Sequence, residues 1–365
     1  MHETGPQVRL IGSDESLAPA YQSLFDQPGC AGFFHSRAWF DNFRAHVAPP
    51  GDRVRVYALE ADDGHPLAVV PAVYSRLYDV HPRARVLHFL HPDGLTYSPV
   101  LAPGDENRLR SLECVLQSLF ADRHAHDVLR FSPLEPGAAF TDGLISILRR
   151  TGHPMQIYRF PDDCYAAATP GLARDYLAGR PEHLRALLNE AAQTLYAAGR
   201  VRFRVVRLPE EIDSGWQDYQ KVFEQSGTRP ANESATYLPG IVRAAAASGA
   251  LRMGFIDLDG VPAAVQLWIA SQGVARCLRI FSIKREAGIS LTNLLTKELA
   301  VQFFDDDRVS LLAFGAIDRE LARNWATGSH ARIGLAAFNL RTWRGVKGAA
   351  RHVGAHYLKS LFGRR

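Results

Sequence analysis

The chain has 365 residues, 47% of them hydrophobic and 22% charged, and a net charge of +4, which is typical of a soluble globular protein with two domains. No apolar run approaches the roughly eighteen residues of a membrane span, and the N-terminus lacks a basic start followed by an apolar stretch, so neither a transmembrane helix nor a secretory signal is predicted. The four cysteines lack CxxC spacing, which indicates reduced thiols and a cytoplasmic protein.

The first half of the chain contains strands and helices arranged around one hairpin. In the hairpin Tyr57–Val73, Asp-Gly joins two apolar runs, and this pair favours a type I′ turn because both central residues need positive φ. The other predicted elements are, in order, strand Val8–Ile11, helices Leu17–Phe25 and Ser36–Val47, strand Ala84–Leu90, helix Glu106–Ala121, strand Asp127–Ser132, helix Ala138–Arg150 and strand Met155–Phe160. Residues Pro161–Gly171 mix turn formers with small residues, which predicts a domain boundary there.

The second half repeats this series around a hairpin of the same form, Phe255–Ala270. Its other predicted elements are helix Arg180–Ala198, strand Arg202–Arg207, helices Pro209–Gln225 and Glu233–Ser248, strand Val274–Ile283, helix Ser290–Phe304 and strand Val309–Gly315. The order helix, three strands, helix, strand thus occurs in both halves; the alternative to a duplicated domain is chance recurrence of common elements. We predict an α/β (α+β) fold in which each domain has a central mixed sheet flanked by helices, with domains at residues 1–160 and 172–345 and a basic tail at 346–365.

A basic, glycine-containing loop separates the last long strand from the long apolar helix of the second half. It contains Lys284, Arg285 and Gly288, and Ser290 is placed to cap the helix. Unpaired amides at a helix start, together with neighbouring cations, favour an anion such as a pyrophosphate. An ordinary capped helix remains the alternative. The matching loop of the first half, Leu90–Pro99, has no Lys or Arg, so an anion site is expected in the second half only.

The order of strand, basic loop, helix and short strand resembles the Gcn5-related N-acetyltransferase family. In that family a loop of the form R/Q-x-x-G-x-G/A holds the pyrophosphate of acyl-coenzyme A, and residues 285–290 read Arg-Glu-Ala-Gly-Ile-Ser. The resemblance implies that Lys284, Arg285, Gly288, Ile289 and Ser290 bind the donor, acyl-CoA or an acyl carrier protein. Two such domains in tandem, with FFHSRAW near the start and LLAFGAIDRELARNW near the end, are similar to CelD/BcsL-type acetyltransferases, which are related to FemABX transferases.

This resemblance implies transfer of an acyl group to an amine in a cell-envelope or exopolysaccharide pathway, such as cellulose biosynthesis. The acceptor would be a small molecule, for example a sugar nucleotide or an envelope precursor. The sequence departs from the family at Ala313, where relatives carry Asp, and at Leu321 and Ala322, where they often carry Tyr-Lys. Two other functions therefore stay open: an aminoacyl-tRNA-dependent transferase of the FemABX kind, and an inactive scaffold of a polysaccharide or envelope pathway. The first half is expected to have lost donor binding.

Attack by an amine on a thioester needs a base, because an alkyl amine is protonated at neutral pH. Asp318, just past the short strand, is the first candidate, although it could simply cap the helix Arg319–Trp325. Gln266 lies in an apolar strand where a polar group needs a partner, and it faces either a substrate cleft or the open side of the sheet. Arg279 on the next strand is a candidate with the same two alternatives.

Other reactive side chains point less clearly to chemistry. His124, His126 and Asp127 are predicted to lie in a solvated loop, and without HExxH or paired CxxC motifs no metal is expected. Cys277 is predicted to be a buried small hydrophobic residue rather than a nucleophile.

The C-terminal segment carries most of the excess positive charge. Residues 341–365 contain seven basic side chains and no acidic one, whereas the remainder has 35 basic and 38 acidic side chains. The segment is either a solvated last helix or a surface for an acidic partner, such as an acidic protein or the anionic face of the inner membrane, where each basic residue is worth about 1 kcal/mol. No basic stripe with interleaved aromatics occurs elsewhere, so DNA is not an expected partner.

Overall fold

A computed structural model describes most of the chain and divides it into two compact units. Unit 1 consists of Met1–Pro161 and Ala331–Arg365, and unit 2 of Asp162–His330. The described residues are 6–12, 15–27, 32–49, 51–75, 84–92, 94–101, 104–122, 126–167, 172–227, 236–283, 290–315 and 319–354.

Unit 1 is a mixed sheet with helices packed against it. Its elements are β1 (Gln7–Ile11), α1 (Gln22–Phe25), α2 (Arg37–His46), β2 (Arg53–Glu60), β3 (Pro66–Ser75), β4 (Val86–Leu90), β5 (Val100–Leu101), α3 (Asp105–Ala121), β6 (Val128–Leu134), α4 (Ala139–Arg150), the first part of β7 (Met155–Ala167), the last part of β13 (Gly328–Phe338) and α11 (Trp343–Ala349). The strand order is β1-β2-β3-β4-β6-β13, and only β4 and β6 pair in parallel. Leucines of α3 and α4 pack with Phe89 and Phe131 in its core.

Unit 2 repeats the same topology. Its elements are the last part of β7, α5 (Leu172–Ala178), α6 (Glu182–Ala191), β8 (Val201–Val206), α7 (Ile212–Ser226), α8 (Tyr237–Ala247), β9 (Leu251–Leu258), β10 (Val261–Ser271), β11 (Val274–Ser282), α9 (Leu291–Val301), β12 (Leu311–Gly315), α10 (Arg319–Trp325) and the first part of β13. The strand order β8-β9-β10-β11-β12 matches β1-β2-β3-β4-β6 of unit 1, and again only the last pair is parallel. The predicted α/β fold, with a mixed strand arrangement repeated in both units, is confirmed.

The two Asp-Gly hairpins close differently. In the second, Asp259 (φ 52°) and Gly260 (φ 79°) both have positive φ and alone link β9 to β10, which is the type I′ turn that the sequence predicts. In the first hairpin, Gly64 has positive φ but Asp63 does not. The Ala61 amide donates to the His65 carbonyl, and the Ala61 carbonyl accepts from the Gly64 amide. The prediction of a type I′ turn is wrong there, because the loop between β2 and β3 is longer than the two-residue loop of such a turn.

The second departure concerns the strands β7 and β13. The segment read as a boundary continues as strand through Ala167, because Cys164–Ala167 pair with β12 in unit 2. Residues 333–338 of β13, which the sequence analysis did not assign to a strand, pair with β6 in unit 1. Residues 331–345 thus fall in unit 1 rather than with the second half, and each unit ends its sheet with a strand from the other half of the sequence. None of the described helices combines the length and hydropathy that a bilayer-spanning helix needs.

Candidate functional site

The parallel strands β11 and β12 of unit 2 separate after a short paired stretch. Val274–Arg276 pair with Leu311–Ala313, and no further pairing between the two strands is described, although β11 continues to Ser282 and β12 to Gly315. Beyond Arg276, β11 still pairs with β10 on its other side, so its free edge faces the gap. We call the diverging parts of β11 and β12 the strand fork.

The helix α9 begins beside the end of β11. Ser290 caps it by accepting a hydrogen bond from the Asn293 amide (3.3 Å), as predicted. The Thr292 hydroxyl in the first helical turn donates to the hydroxyl of Ser282 (3.0 Å), the last residue of β11. The positive end of the helix dipole therefore lies next to the strand fork.

Most of the predicted donor loop and the predicted base lie outside the described residues. These are Lys284, Arg285, Gly288, Ile289 and Asp318, and their roles stay predictions. The structure places the neighbouring residues: Ile283 bonds through its amide to the Ala263 carbonyl (2.9 Å), and α9 starts after Ser290. The loop therefore joins the tip of β11 to the start of α9, and α10 begins at Arg319, directly after Asp318.

Gln266 is fully buried and is held at both ends of its amide. Its Nε2 donates to the Thr296 hydroxyl (2.7 Å) and the Thr292 carbonyl (3.3 Å), while its Oε1 accepts from Trp268 Nε1 (2.9 Å). These bonds tie β10 to α9. The described contacts of Gln266 are thus those of a residue that positions the first turns of α9, not of a group that faces a cleft.

Arg279 lies on the other face of the sheet from Gln266. It pairs with Leu267, the neighbour of Gln266 along β10, and successive strand residues point to opposite faces. Burial raises the pKa of Tyr219 on α7, and the nearby Arg279 guanidinium opposes that rise. Arg279 and Gln266 therefore cannot act on the same substrate atom.

An ion pair that the sequence analysis missed closes the base of the strand fork. Arg276, in the last paired position of β11, bonds Asp163 on β7 (Nη2–Oδ2 3.1 Å), and both side chains are largely buried. Only their pairing in space reveals them, because the two residues are far apart in sequence. The next residue, Cys277, is buried, and burial raises the pKa of its thiol, so its thiolate is disfavoured and the prediction of a buried small side chain is confirmed.

A second feature that the sequence analysis missed is a hydrogen bond between Asn293, near the start of α9, and Trp325. The buried Asn293 accepts a hydrogen bond from Trp325 Nε1 (2.7 Å) at the end of α10. The Trp325 carbonyl in turn accepts from Tyr176 on α5 and from Arg180 (3.0 Å). A signal existed in the sequence, since Asn293 is a polar residue within an apolar helical run. This network holds in place the start of α9, which lies next to the strand fork.

The positions that depart from the family pattern are apolar and packed. Ala313 is buried on β12 between Arg276 and Tyr165, its neighbours on the two flanking strands. Leu321 is buried on α10. No carboxylate or lysine thus stands at Ala313, Leu321 or Ala322 to take part in catalysis.

The predicted solvated loop around His126 is wrong where the structure describes it. His126 and Asp127 are buried, and the Asp127 carboxylate binds the Arg85 guanidinium (2.8 Å). Within the described residues, no group of three or more His, Cys, Asp or Glu side chains is arranged to hold a metal ion.

One family model matches part of unit 2. Residues 182–323 match the model of the acetyltransferase (GNAT) domain, and this range contains the whole strand fork and α9. No curated protein sequence matches the chain significantly.

Two solved structures share the fold over most of the chain. FemX is 10% identical over 97% of this chain and 99% of its own, with a TM-score of 0.58. The C-terminal domain of a putative lysylphosphatidylglycerol synthetase from Agrobacterium fabrum is 15% identical over 88% of this chain and 92% of its own, with a TM-score of 0.53. The narrower resemblance to the CelD/BcsL type stays a prediction. Residues 182–323 thus match the model of the acetyltransferase (GNAT) domain, and the chain has the fold that FemX and this synthetase domain also have.

Proposed function

We propose that the chain is an N-acyltransferase that moves an acyl group from acyl-CoA, or from an acyl carrier protein, to an amine. The observation that carries the proposal is the strand fork beside the start of α9, within the residues that match the GNAT domain model. A fork between parallel strands exposes peptide groups in an otherwise closed sheet, and peptide groups are the natural partners of an extended ligand that itself contains amides. The pantetheine arm of coenzyme A, which an acyl carrier protein also presents, is such a ligand.

The phosphate end of the donor would lie at the start of α9. The amides of Leu291 and Thr292 precede the first intrahelical hydrogen bond, from Leu294 to Ser290, and such amides bind anions. Lys284, Arg285 and the Gly288–Ser290 amides, including that of Ile289, would add charge and further donors. The hydrogen bond between Thr292 and Ser282 holds the start of α9 against the end of β11.

The chemical step would join the acceptor nitrogen to the acyl carbon while the carbon–sulfur bond breaks. The nitrogen must first lose a proton, which Asp318 would take, and the leaving thiolate would gain one. The negative charge that develops on the carbonyl oxygen would be stabilised by a backbone amide at the strand fork. Arg276 and Asp163 would keep the base of the fork rigid, because their ion pair ties β11 to β7.

Unit 1 would not bind a donor. Its parallel strands pair along the whole of β4, from Val86 to Leu90. Pro133 follows Ser132, the last residue of β6 that pairs with β4, and its carbonyl accepts a hydrogen bond from the Tyr97 amide (2.8 Å). No equivalent gap is left among the described residues of these two strands. The acceptor class, an amine of a cell-envelope or exopolysaccharide precursor, rests on the family resemblance.

A melting scan with coenzyme A and several acyl-CoAs tests donor binding. Ligand at a hundred times its dissociation constant stabilises a protein by about 2.7 kcal/mol, roughly 5–11 °C for a unit of this size. Replacing Lys284 and Arg285 by Ala should abolish the shift. The control Arg174→Ala/Lys221→Ala removes the same charge at exposed positions of unit 2 and should keep it. No shift with any acyl-CoA would contradict the proposal.

Turnover then separates the enzyme from the alternatives. Asp318→Asn should lower turnover about a hundredfold or more while leaving the melting shift unchanged. Donor binding without turnover of any amine would instead favour the inactive scaffold.

A FemABX-like aminoacyl transferase is the second candidate, because FemX shares the fold over nearly the whole chain. It would bind aminoacyl-tRNA with an affinity that falls steeply with salt, and it would give no shift with acyl-CoA.

A further inference from the structure

The short helix α11 of unit 1 presents two different faces. Its inner face consists of small residues, Gly345, Gly348 and Ala349, which are buried. A side chain on Gly345 would meet the backbone carbonyl of Asn339 at 2.0 Å, so the helix lies directly against the chain that leads into it. The small residues thus let α11 lie close to this chain, while Trp343, Val346 and Lys347 of the helix are exposed.

The outer side carries a cluster of exposed apolar side chains. Trp343 is 61% exposed, Leu340 49% and Val346 46%. The other described large apolar side chains with comparable exposure, such as Leu208 and Val261, are spread over the chain. Single exposed apolar residues are common, but three within seven positions form a patch, and such patches mark interaction sites.

Basic side chains surround this patch. Arg341, Arg344, Lys347 and Arg351 lie within the same stretch, and the Lys347 ammonium sits 3.8 Å from the centre of the Trp343 ring. From Asn339 to the C-terminus the sequence contains no acidic residue, and Lys359, Arg364 and Arg365 follow. The patch therefore combines apolar groups with a single sign of charge, whereas patches between protein subunits usually lose charge at their centre.

We infer that the exposed side chains of α11 and of the residues that flank it, Leu340, Trp343, Val346, Lys347 and Arg351, dock on an anionic lipid surface. Trp favours the boundary between lipid headgroups and acyl chains, where its ring is buried and its N–H stays near water. Long basic side chains can lie along the same boundary with their charged ends at the headgroups. Apolar burial and attraction to anionic lipid add in such an interfacial helix. The inference uses no property of the strand fork and stands apart from the proposed acyl transfer.

Flotation of the full chain with vesicles tests this inference. At low salt, vesicles of phosphatidylcholine with phosphatidylglycerol should carry the chain upward, whereas vesicles of phosphatidylcholine alone should not. Lys347→Gln/Arg351→Gln should weaken binding about 30-fold, at about 1 kcal/mol per charge. The matched control Arg174→Gln/Lys221→Gln should bind as the unchanged chain does.

A second measurement addresses the apolar part. Of the five tryptophans, Trp39, Trp268 and Trp325 are buried, Trp216 is half-buried and Trp343 is exposed. Brominated lipids should therefore quench mainly Trp343, and Trp343→Phe should remove most of the quenching. Trp343→Ala should weaken binding about tenfold, while Leu208→Ala, a change at another largely exposed apolar residue in unit 2, should leave it unchanged.

The inference is overturned if anionic vesicles do not float the chain, or if the paired glutamine variant floats as well as the unchanged chain. It is also overturned if polyglutamate binds at least as tightly as the vesicles and Trp343→Ala has no effect, because the partner would then be an acidic polypeptide. Circular dichroism of each variant separates loss of docking from loss of folding.

Discussion

The parallel strand pairs of the two units have the same place in the strand order but end differently. In unit 1, β4 and β6 are paired over all of β4, from Val86 to Leu90. In unit 2, β11 and β12 separate after Arg276. The two units share one strand order, yet among the described residues a gap beside a helix start is found in unit 2 and not in unit 1. The two strand pairs thus differ in where the pairing stops, and not in topology.

The starts of these strand pairs are also built from different groups. In unit 1, Arg85 and Asp127 precede β4 and β6, and their side chains form a largely buried ion pair. In unit 2, Gly273 and Ser310 hold the corresponding places, joined by a backbone bond of 2.7 Å and by the Ser310 hydroxyl. The Asp127 amide makes the same backbone bond to the Arg85 carbonyl in unit 1 (2.7 Å), so the two starts differ in their side chains: an ion pair in unit 1 and a hydroxyl bond in unit 2. The predictions below test this difference and that between the strand ends.

The largest expected effect is from breaking the Arg85–Asp127 pair. Burial alone would raise the pKa of the Asp127 carboxyl, but hydrogen bonds from the Arg85 side chain and amide bring it below its usual value. Arg85→Ala leaves a buried carboxylate with fewer partners, and we expect a loss of about 3 kcal/mol in the free energy of unfolding. Urea unfolding at pH 7 measures it.

The matched change in unit 2 is Ser310→Ala. It removes one exposed hydroxyl bond and should cost about 0.5 kcal/mol. Similar losses for the two variants would show that the starts of the two strand pairs do not differ in energy.

Acid should destabilise unit 1 next. Burial lowers the pKa of His126 to about 3, whereas an unfolded chain has a value near 6.5. Between these values the unfolded chain binds a proton that the folded chain does not. The stability is therefore complete above about pH 6.5 and falls as the pH drops towards 3, by up to about 1.4 kcal/mol per pH unit.

Urea unfolding at pH 7, 6 and 5 should show this slope, and His126→Leu should reduce it. The slope should not vanish, because burial also lowers the pKa of His35 and His153. His330→Gln in unit 2 is the control, since His330 is exposed. An unchanged slope in His126→Leu would mean that His126 is not the titrating group.

Gln266→Leu separates a positioning role from a catalytic one. The change leaves Trp268 Nε1 without its buried acceptor and Thr296 without one hydrogen bond, so a loss of about 1–3 kcal/mol is expected. If Gln266 only positions α9, the folded variant should keep its turnover in an acyltransferase assay while its donor affinity falls. A turnover lowered a hundredfold with donor affinity unchanged would instead show that Gln266 takes part in the reaction.

A small loss of stability is also expected at Gly315, at the end of β12 in the strand fork. Its φ of 75° is left-handed, so Gly315→Ala should cost about 1 kcal/mol. Gly152 in unit 1 has a similar φ of 70°, and Gly152→Ala should cost about the same. Only Gly315→Ala should also reduce the melting shift caused by coenzyme A. Equal shifts in the two variants would place donor binding away from the end of β12.

Local patterns in the sequence were sufficient for the elements that form from neighbouring residues. The Asp259-Gly260 turn, the Ser290 cap and the helix Arg319–Trp325 lie where the sequence predicts them, because turn and cap preferences act within a few residues. The strand β13 escaped prediction because its partner β6 lies far away in sequence. Gln266 was singled out correctly as a polar residue that needs a partner, but its contacts with Trp268 and Thr296 depend on packing between β10 and α9.

By itself the sequence determined the repeated order of helices and strands, the turn at Asp259-Gly260 and the concentration of positive charge at the C-terminus, since all three follow from composition and short-range pattern. Only the tertiary structure decided that β11 and β12 diverge while β4 and β6 do not, that β7 and β13 each complete the sheet of the other half, and that Trp343 points outward. These outcomes depend on which strands, distant in sequence, pair with each other and on where small residues allow elements to pack closely. Neither can be read from a stretch of neighbouring residues.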